Sequence, residues 1–125
     1  MRRDHPLEQS VRDMIMAARR AISWTAGKSI EDYRQDDMLR AAAERQLEIV
    51  GEAARRLPAV FREQHPEIPW RPIMAQRHIL AHEYDDLQDD LLWKVVTLHL
   101  PPLMAQLEPL LDELDGKQQN DRDPN

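Results

Sequence analysis

Apolar side chains recur every three or four residues over most of this chain, which is the spacing that aligns them on one face of an α-helix. The pattern predicts a first helix over residues 6–26, a second over 39–57, a third over about 69–86 and a last one over 91–114. Glycine occurs only 3 times in 125 residues, whereas Ala, Leu, Glu and Arg, which favour helices, are frequent. Four principal helices with short connections predict an all-α fold, specifically an antiparallel four-helix bundle.

Prolines mark two places where this helical pattern is interrupted. Three of them lie in residues 58–69, PAVFREQHPEIP, which we predict to be a connection that contains about one helical turn. Pro101 and Pro102 fall inside the last helix, where each removes a backbone hydrogen bond and clashes with the preceding turn. We therefore expect a kinked or broken last helix at this point.

Two further local signals concern the second helix. SIEDYRQDD, residues 29–37, begins with a Ser and continues with acidic residues, which is typical of a short capped turn or linker. Gly51 lies in the middle of the helix, where a glycine costs about 1 kcal/mol relative to alanine. A glycine at such a position indicates that another backbone approaches closely there.

The chain is long enough for one hydrophobic core. We predict a single helical domain over residues 1–116, followed by a disordered polar tail at 117–125. No apolar run reaches the ~20 residues of a membrane span, and the N-terminus lacks the apolar segment of a signal peptide. Cysteine is absent, so disulfides and thiolate metal sites are excluded. We therefore expect a soluble, cytoplasmic protein with no membrane partner.

The net charge of −6 is unevenly distributed along the chain. Residues 1–84 carry a net charge of +1, and residues 85–125 carry a net charge of −7. Because affinity for nucleic acid depends on the local density of Lys and Arg, phosphate binding is implausible for the C-terminal third and permitted for the rest. Arginine pairs at 19–20 and 55–56 could form a rim that contacts phosphates, although such pairs are more often solvated helix surface.

RHILAHEY, residues 77–84, carries an unusual set of side chains for a helix. On an ideal helix over residues 70–84, Arg77 lies in the centre of the apolar stripe, and His78 and His82 lie at its edge, one turn apart. A guanidinium is costly to bury alone, so Arg77 must meet a carboxylate, a bound anion or a cleft between subunits. Candidate carboxylates line one side of the second helix at Glu44, Glu48 and Glu52. Both a structural ion pair and a functional site fit these observations.

The same segment matches a known signature. Arg77, four intervening residues, His82, one residue and Tyr84 resemble the R-x4-H-x-Y motif of the HepT-like branch of the HEPN superfamily. Three other stretches follow the order and spacing of that family's second helix, connector and final helix: QLEIVGEAARRL at 46–57, REQHPEIPWRPI at 62–73 and LWKVVTLHLPPL at 92–103. The resemblance covers most of residues 7–114.

The resemblance implies an all-helical bundle that forms a homodimer, in which two R-x4-H motifs face a shared cleft. Such proteins act as metal-independent endoribonucleases, which implies an RNA substrate, no cofactor and no metal site. They are typically toxins of type VII-like toxin–antitoxin systems, paired with a minimal nucleotidyltransferase antitoxin that attaches adenylate to the motif tyrosine. Carried over to this chain, Arg77 and His82 are the catalytic residues, and Tyr84 is the site of adenylylation.

His78 departs from the family pattern, because the residue after the motif arginine is usually Asn or another small polar residue. It could preserve hydrogen bonding or add a second titrating group, and we treat it as a secondary site residue. Histidines at positions i and i+4, as at His78 and His82, also have the spacing that chelates zinc. The adjoining acid of an H-E-x-x-H motif is absent, however, and a third ligand would have to come from elsewhere in the chain.

A function of a different class is also compatible with these residues. The chain could be a non-catalytic helical dimer that acts as a binding partner of the nucleotidyltransferase, with Arg77 paired to a glutamate of the second helix. Tyr84 could likewise be a packed aromatic residue that ends the third helix. RNA cleavage by the purified protein, lost on substitution of His82, separates the two hypotheses.

Overall fold

The structure is a computed structural model, and it describes residues 6–80 and 86–122; the side chains of residues 76–80, 86, 87 and 117–122 lie outside this description. The described residues are all-helical, as expected. The elements are α1 (Leu7–Thr25), α2 (Ile30–Gln35), α3 (Asp37–Arg56), α4 (Ala59–Gln64), α5 (Trp70–Leu80), α6 (Asp86–Lys94), a π-helical turn (Val95–His99) and α7 (Leu100–Arg122). In the described part of the chain, no helix is long and apolar enough to cross a bilayer.

The long helices α1 and α3 pack antiparallel to each other. Arg56 at the end of α3 donates to Asp13 near the start of α1 (2.8 Å), and Arg20 near the end of α1 donates to Gln46 in α3 (3.5 Å). The apolar faces meet in one core that α5, α6 and α7 complete. This core includes Val11, Met14, Leu47, Val50, Phe61, Ile73, Leu92, Val96, Leu100 and Leu107.

Helix α7 packs antiparallel against α1, and ion pairs flank the apolar contact. Arg12 donates to Asp115 (2.9 Å), and Arg19 donates to Glu108 (3.2 Å). Two acidic residues of the C-terminal third thus form ion pairs with arginines of α1. Both pairs are half-exposed, so each contributes little to stability, on the order of 0 to 1 kcal/mol.

The predicted short capped turn before the second helix is helix α2, which is six residues long. Its N-terminus has a reciprocal capping box, in which the Ser29 side chain accepts from the Asp32 amide (3.1 Å) and the Asp32 carboxylate accepts from the Ser29 amide (2.9 Å). Asp36 ends α2 and caps α3 by accepting from the Leu39 amide (3.0 Å). The local polar sequence therefore sets where both helices begin.

The prolines of the last helix do not break it. Lys94, the last residue of α6, is followed by the π-helical turn and then by α7, and the amide of Leu100 donates to the carbonyl of Val95, five residues earlier. Pro101 and Pro102 follow at once, and neither has an amide hydrogen to donate to the preceding turn. The interruption that we expected takes the form of a π-helical turn, in which one extra residue is accommodated while the chain stays helical.

Other predicted boundaries agree to different degrees. The first and second predicted helices match α1 and α3 to within two residues at each end. The third was expected to reach about residue 86, but Asp86 is the first residue of α6, and residues 81–85 lie outside the description. Helix α7 continues to Arg122, past the end of the domain that we placed at residue 116. That domain boundary remains a prediction.

The glycine of the second predicted helix lies where α3 meets α5. A Cβ atom built on Gly51 would lie 3.3 Å from the carbonyl oxygen of Ile73, which is tighter than ordinary van der Waals contact. The close backbone approach predicted from the sequence is therefore present.

Replacement of Gly51 by valine should lower the free energy of unfolding by about 1–3 kcal/mol, because the added carbons would push α5 away from α3. Gly116→Val is the matched control: it places the same side chain in a helix, but a Cβ there has no heavy atom within 4 Å. We expect it to change stability by less than about 0.5 kcal/mol. Urea unfolding measures both, and equal losses would show that the contact with Ile73 does not set the cost.

Candidate active site

The R-x4-H-x-Y segment spans the end of α5 and the residues that follow it. Arg77 and His78 lie in the last four residues of α5, so their backbone is helical, as predicted. Their side chains lie outside the described part of the structure, and so do His82 and Tyr84. The burial of Arg77, its ion pair, the zinc alternative and the role of Tyr84 are therefore still predictions. The described residues define what surrounds this segment.

Helix α5 is anchored on α3 immediately before the motif. The Gly51 contact brings the backbone of Ile73 against α3, and the guanidinium of Arg55 donates to the carbonyl of Met74 (3.0 Å). Arg77 follows Ile73 by four residues, which is one helical turn. Its backbone position is thus set by a helix that packs tightly on α3.

The three glutamates that we considered as partners of Arg77 differ in their surroundings. Arg45 lies 3.5 Å from Glu48 and 3.7 Å from Glu52, and both glutamates are half-exposed. Glu44 is the buried member of the three, with 8% of its surface exposed. A buried carboxylate is costly unless a cation or hydrogen-bond donors face it. Of the three, Glu44 is therefore the one for which a facing cation or donor matters most.

A polar cluster lies between α2, α3 and α6, next to the buried Glu44. Asp89 is 7% exposed, and its carboxylate lies 3.9 Å from Nε of Arg40. Tyr33 is fully buried, and its hydroxyl has no hydrogen-bond partner among the described atoms. Burial, and then the negative charges of Glu44 and Asp89, raise the pKa of Tyr33, while Arg40 opposes the shift. The Tyr33 phenol is therefore neutral at any physiological pH.

The sequence did not identify this cluster. Tyr33 falls inside the stretch that we interpreted as a capped turn, and Asp89 lies in an acidic run that we treated as unsuited to phosphate. Their proximity depends on the packing of α2 on α6, a contact between distant parts of the chain. One signal was available: an aromatic residue in a short polar helix needs a neighbour to cover it.

The four arginines of the two pairs are exposed, and each bonds to another part of the bundle. The first pair bonds to Glu108 and Gln46, and in the second pair Arg55 bonds to Met74 and Arg56 to Asp13. These contacts agree with the interpretation as helix surface more than with a rim that contacts phosphates. Among the side chains that the structure describes, no three of His, Asp or Glu are arranged to hold a metal ion.

Comparisons with known proteins identify the family. The family model described as ribonuclease HepT-like matches residues 14–110, a range that includes the whole R-x4-H-x-Y segment. No solved structure matches the chain significantly.

Three related proteins illustrate the similarity. A protein of Thermococcus cleftensis named "Probable ribonuclease HepT" is 34% identical over 110 residues, which cover 88% of this chain and 98% of that protein. A protein of Caldanaerobacter subterraneus, named as a candidate RNase, is 38% identical over 87 residues, or 70% of this chain and 78% of that one. Another candidate RNase, from Methanocaldococcus jannaschii, is 34% identical and covers 77% of this chain and 88% of its own.

The family match spans most of the helical bundle, and the relatives align over more than two thirds of the chain. The all-helical fold and the resemblance to the HEPN superfamily agree with it. The chain therefore belongs to the HepT-like ribonuclease family.

Proposed function

We propose that the protein is a metal-independent endoribonuclease toxin of a type VII-like toxin–antitoxin system. In this proposal a minimal nucleotidyltransferase neutralises it by attaching adenylate to Tyr84. The observation that supports the proposal is the family match over residues 14–110; this range includes Arg77, His82 and Tyr84, which are spaced as in the R-x4-H-x-Y signature that the sequence resembles. The residue types of that segment are also those that RNA cleavage without a metal requires.

The proposed chemistry is attack by a ribose 2′-OH on the adjacent phosphate. A base takes the proton of the 2′-OH while an acid gives a proton to the departing 5′-oxygen, so the products are a 2′,3′-cyclic phosphate and a 5′-OH. Histidine has an ordinary pKa near neutral pH, so an imidazole such as that of His82 can serve as the base or as the acid. The guanidinium of Arg77 can hold two phosphate oxygens and offset the negative charge that builds up on them.

A homodimer would complete the site. One imidazole cannot act as base and acid in the same step, and His82 is the motif histidine of each chain. A two-fold axis beside α5 would bring two copies of His82 to one cleft. The same arrangement would place Arg77 against a partner subunit and a phosphate instead of an apolar core, which removes its burial cost. His78, one residue after Arg77, would contribute a secondary imidazole.

The purified protein should cleave single-stranded RNA to fragments that end in a 2′,3′-cyclic phosphate, at a rate that EDTA does not change. End-labelled RNA separated on a denaturing gel, with acid treatment to open cyclic ends, measures both properties. Fragments with 5′-phosphate ends would contradict the 2′-OH mechanism. Absence of cleavage by a protein that sediments as a folded dimer would favour the alternative, a non-catalytic dimer that binds the nucleotidyltransferase.

A further inference from the structure

Helix α2 is short, and contacts with α3 and α6 hold it in place. A helix of six residues is not stable alone, so tertiary contacts must fix it. Its Tyr33 is fully buried and forms a small second core with Leu39 and Ala43 of α3, against which Trp93 of α6 packs. The rings of Tyr33 and Trp93 lie 5.3 Å apart. The aromatic contact thus joins α2 to α6.

Charged groups also join α2 to α6, and an arginine of α3 contacts both of these helices. Arg34 of α2 donates to Asp90 of α6. Arg40 of α3 donates to the carbonyl of Arg34 (2.6 Å) and directs its Nε at the buried Asp89 of α6. We call Tyr33, Arg34, Arg40, Asp89 and Asp90 the α2–α6 clamp.

The clamp lies where the motif segment rejoins the described chain. Helix α6 begins at Asp86, which is four residues after His82 and two after Tyr84. The clamp contacts α6 at Asp89 and Asp90, which lie within the first five residues of that helix. At the other end of the segment, α5 is anchored on α3. The helices at both ends of residues 81–85 are therefore tied to α3: α5 directly, and α6 through Arg40 and through α2.

We propose that the α2–α6 clamp positions the start of α6, and through it His82 and Tyr84, for the reaction. This inference rests on the proposed ribonuclease function. Members of the clamp are positioning residues, because they are argued to act only through the motif. A displacement of about 1 Å in a proton-transfer group can reduce a rate by about 100-fold. Loosening the clamp should therefore affect the turnover number of the enzyme more than its affinity for RNA.

Reversal of one charge in the clamp tests this proposal. Arg34→Glu should lower kcat by about 10- to 100-fold and leave KM within about threefold. The double variant Arg34→Glu/Asp90→Arg restores the ion pair with its two charges exchanged and should recover most of kcat. The double variant also returns the net charge to the wild-type value, so the effect of added negative charge alone has to be measured with a separate variant.

A matched ion pair provides the control for surface charge and stability. Arg12 and Asp115 form a pair of similar exposure, 39% and 44% of the two side chains, against 33% and 43% for Arg34 and Asp90. Arg12→Glu breaks that pair away from the motif and should leave kcat within about twofold. Loss of kcat in Arg12→Glu equal to that in Arg34→Glu would overturn the proposal.

A readout that needs no activity separates this proposal from the proposed function. The imidazole resonances of His82, assigned through a His82→Gln variant, report the surroundings of that ring in the free protein. Arg34→Glu should shift them and Arg12→Glu should not, whether or not the wild type cleaves RNA. Cleavage by the wild type combined with unchanged kcat and unchanged His82 resonances in Arg34→Glu would overturn the clamp. An inactive wild type with shifted resonances would support the clamp and reject the proposed function.

Discussion

Substitution of His82 or Arg77 by alanine should reduce RNA cleavage by about 100- to 10,000-fold, because the first removes a positioned proton-transfer group and the second removes stabilisation of charge in the transition state. For His82 the loss removes the imidazole that carries the proton in both subunits of the proposed dimer. For Arg77 it removes the cation that offsets charge on the phosphate, and lysine should restore only part of the rate because it cannot bind two oxygens at once. Single-turnover cleavage of a labelled RNA measures each rate.

The controls for this result lie on the same chain. His99→Ala removes an exposed imidazole from the π-helical turn and should leave the rate unchanged, whereas His78→Ala should cause a smaller loss than His82→Ala. Circular dichroism confirms that each variant is helical. If EDTA abolishes cleavage and zinc restores it, the two histidines one turn apart form a metal site, and the metal-independent mechanism is wrong.

The bundle was predictable because its apolar face repeats along every long helix. Leu47 and Val50 in α3, for example, both lie on the predicted stripe and are fully buried. Sequence patterns were less informative where the backbone could be interrupted in more than one way. Pro101 and Pro102 predict that the hydrogen-bond pattern is interrupted, but not how. The π-helical turn keeps Val96 and Leu100 in the core, where the turn packs against α1, and no local pattern contains that contact.

The candidate site, like the fold, could be predicted from the sequence only in part. Arg77, His82 and Tyr84 were found through a family signature, because the chemistry of the motif depends on residues close together in sequence. The clamp was missed because Arg34 and Asp90 are separated by 56 positions, and helical periodicity reports only neighbours within one turn. The capping box that starts α2 was indicated correctly, since Ser29 and the acidic residues after it act locally.

Two buried carboxylates lie close to the aromatic contact between α2 and α6. Glu44 and Asp89 are both buried, and both raise the pKa of Tyr33. Neither carboxylate belongs to the signature, and their proximity to Tyr33 depends on how α2, α3 and α6 pack together.

Tyr84 should be the residue through which a nucleotidyltransferase silences the protein. An attached adenylate would bring a phosphate that pairs with Arg77 and a nucleotide that occupies the space needed by the RNA phosphate, so inhibition is both electrostatic and steric. Co-expression of the chain with a neighbouring minimal nucleotidyltransferase, followed by intact-mass measurement, should show adenylate-sized additions on the wild type. Tyr84→Phe should carry none, and it should remain toxic in the presence of the partner.

The chain supplies a matched control, because it has only two tyrosines. Tyr33 is fully buried in the small core against Trp93, so its hydroxyl is inaccessible to another enzyme. Tyr33→Phe keeps the ring in place and should be modified to the same extent as the wild type. Equal additions on Tyr84→Phe and the wild type would show that another residue accepts the nucleotide. A Tyr84→Phe variant that is unmodified, yet still inhibited by the partner, would show that the nucleotidyltransferase silences the protein by binding alone.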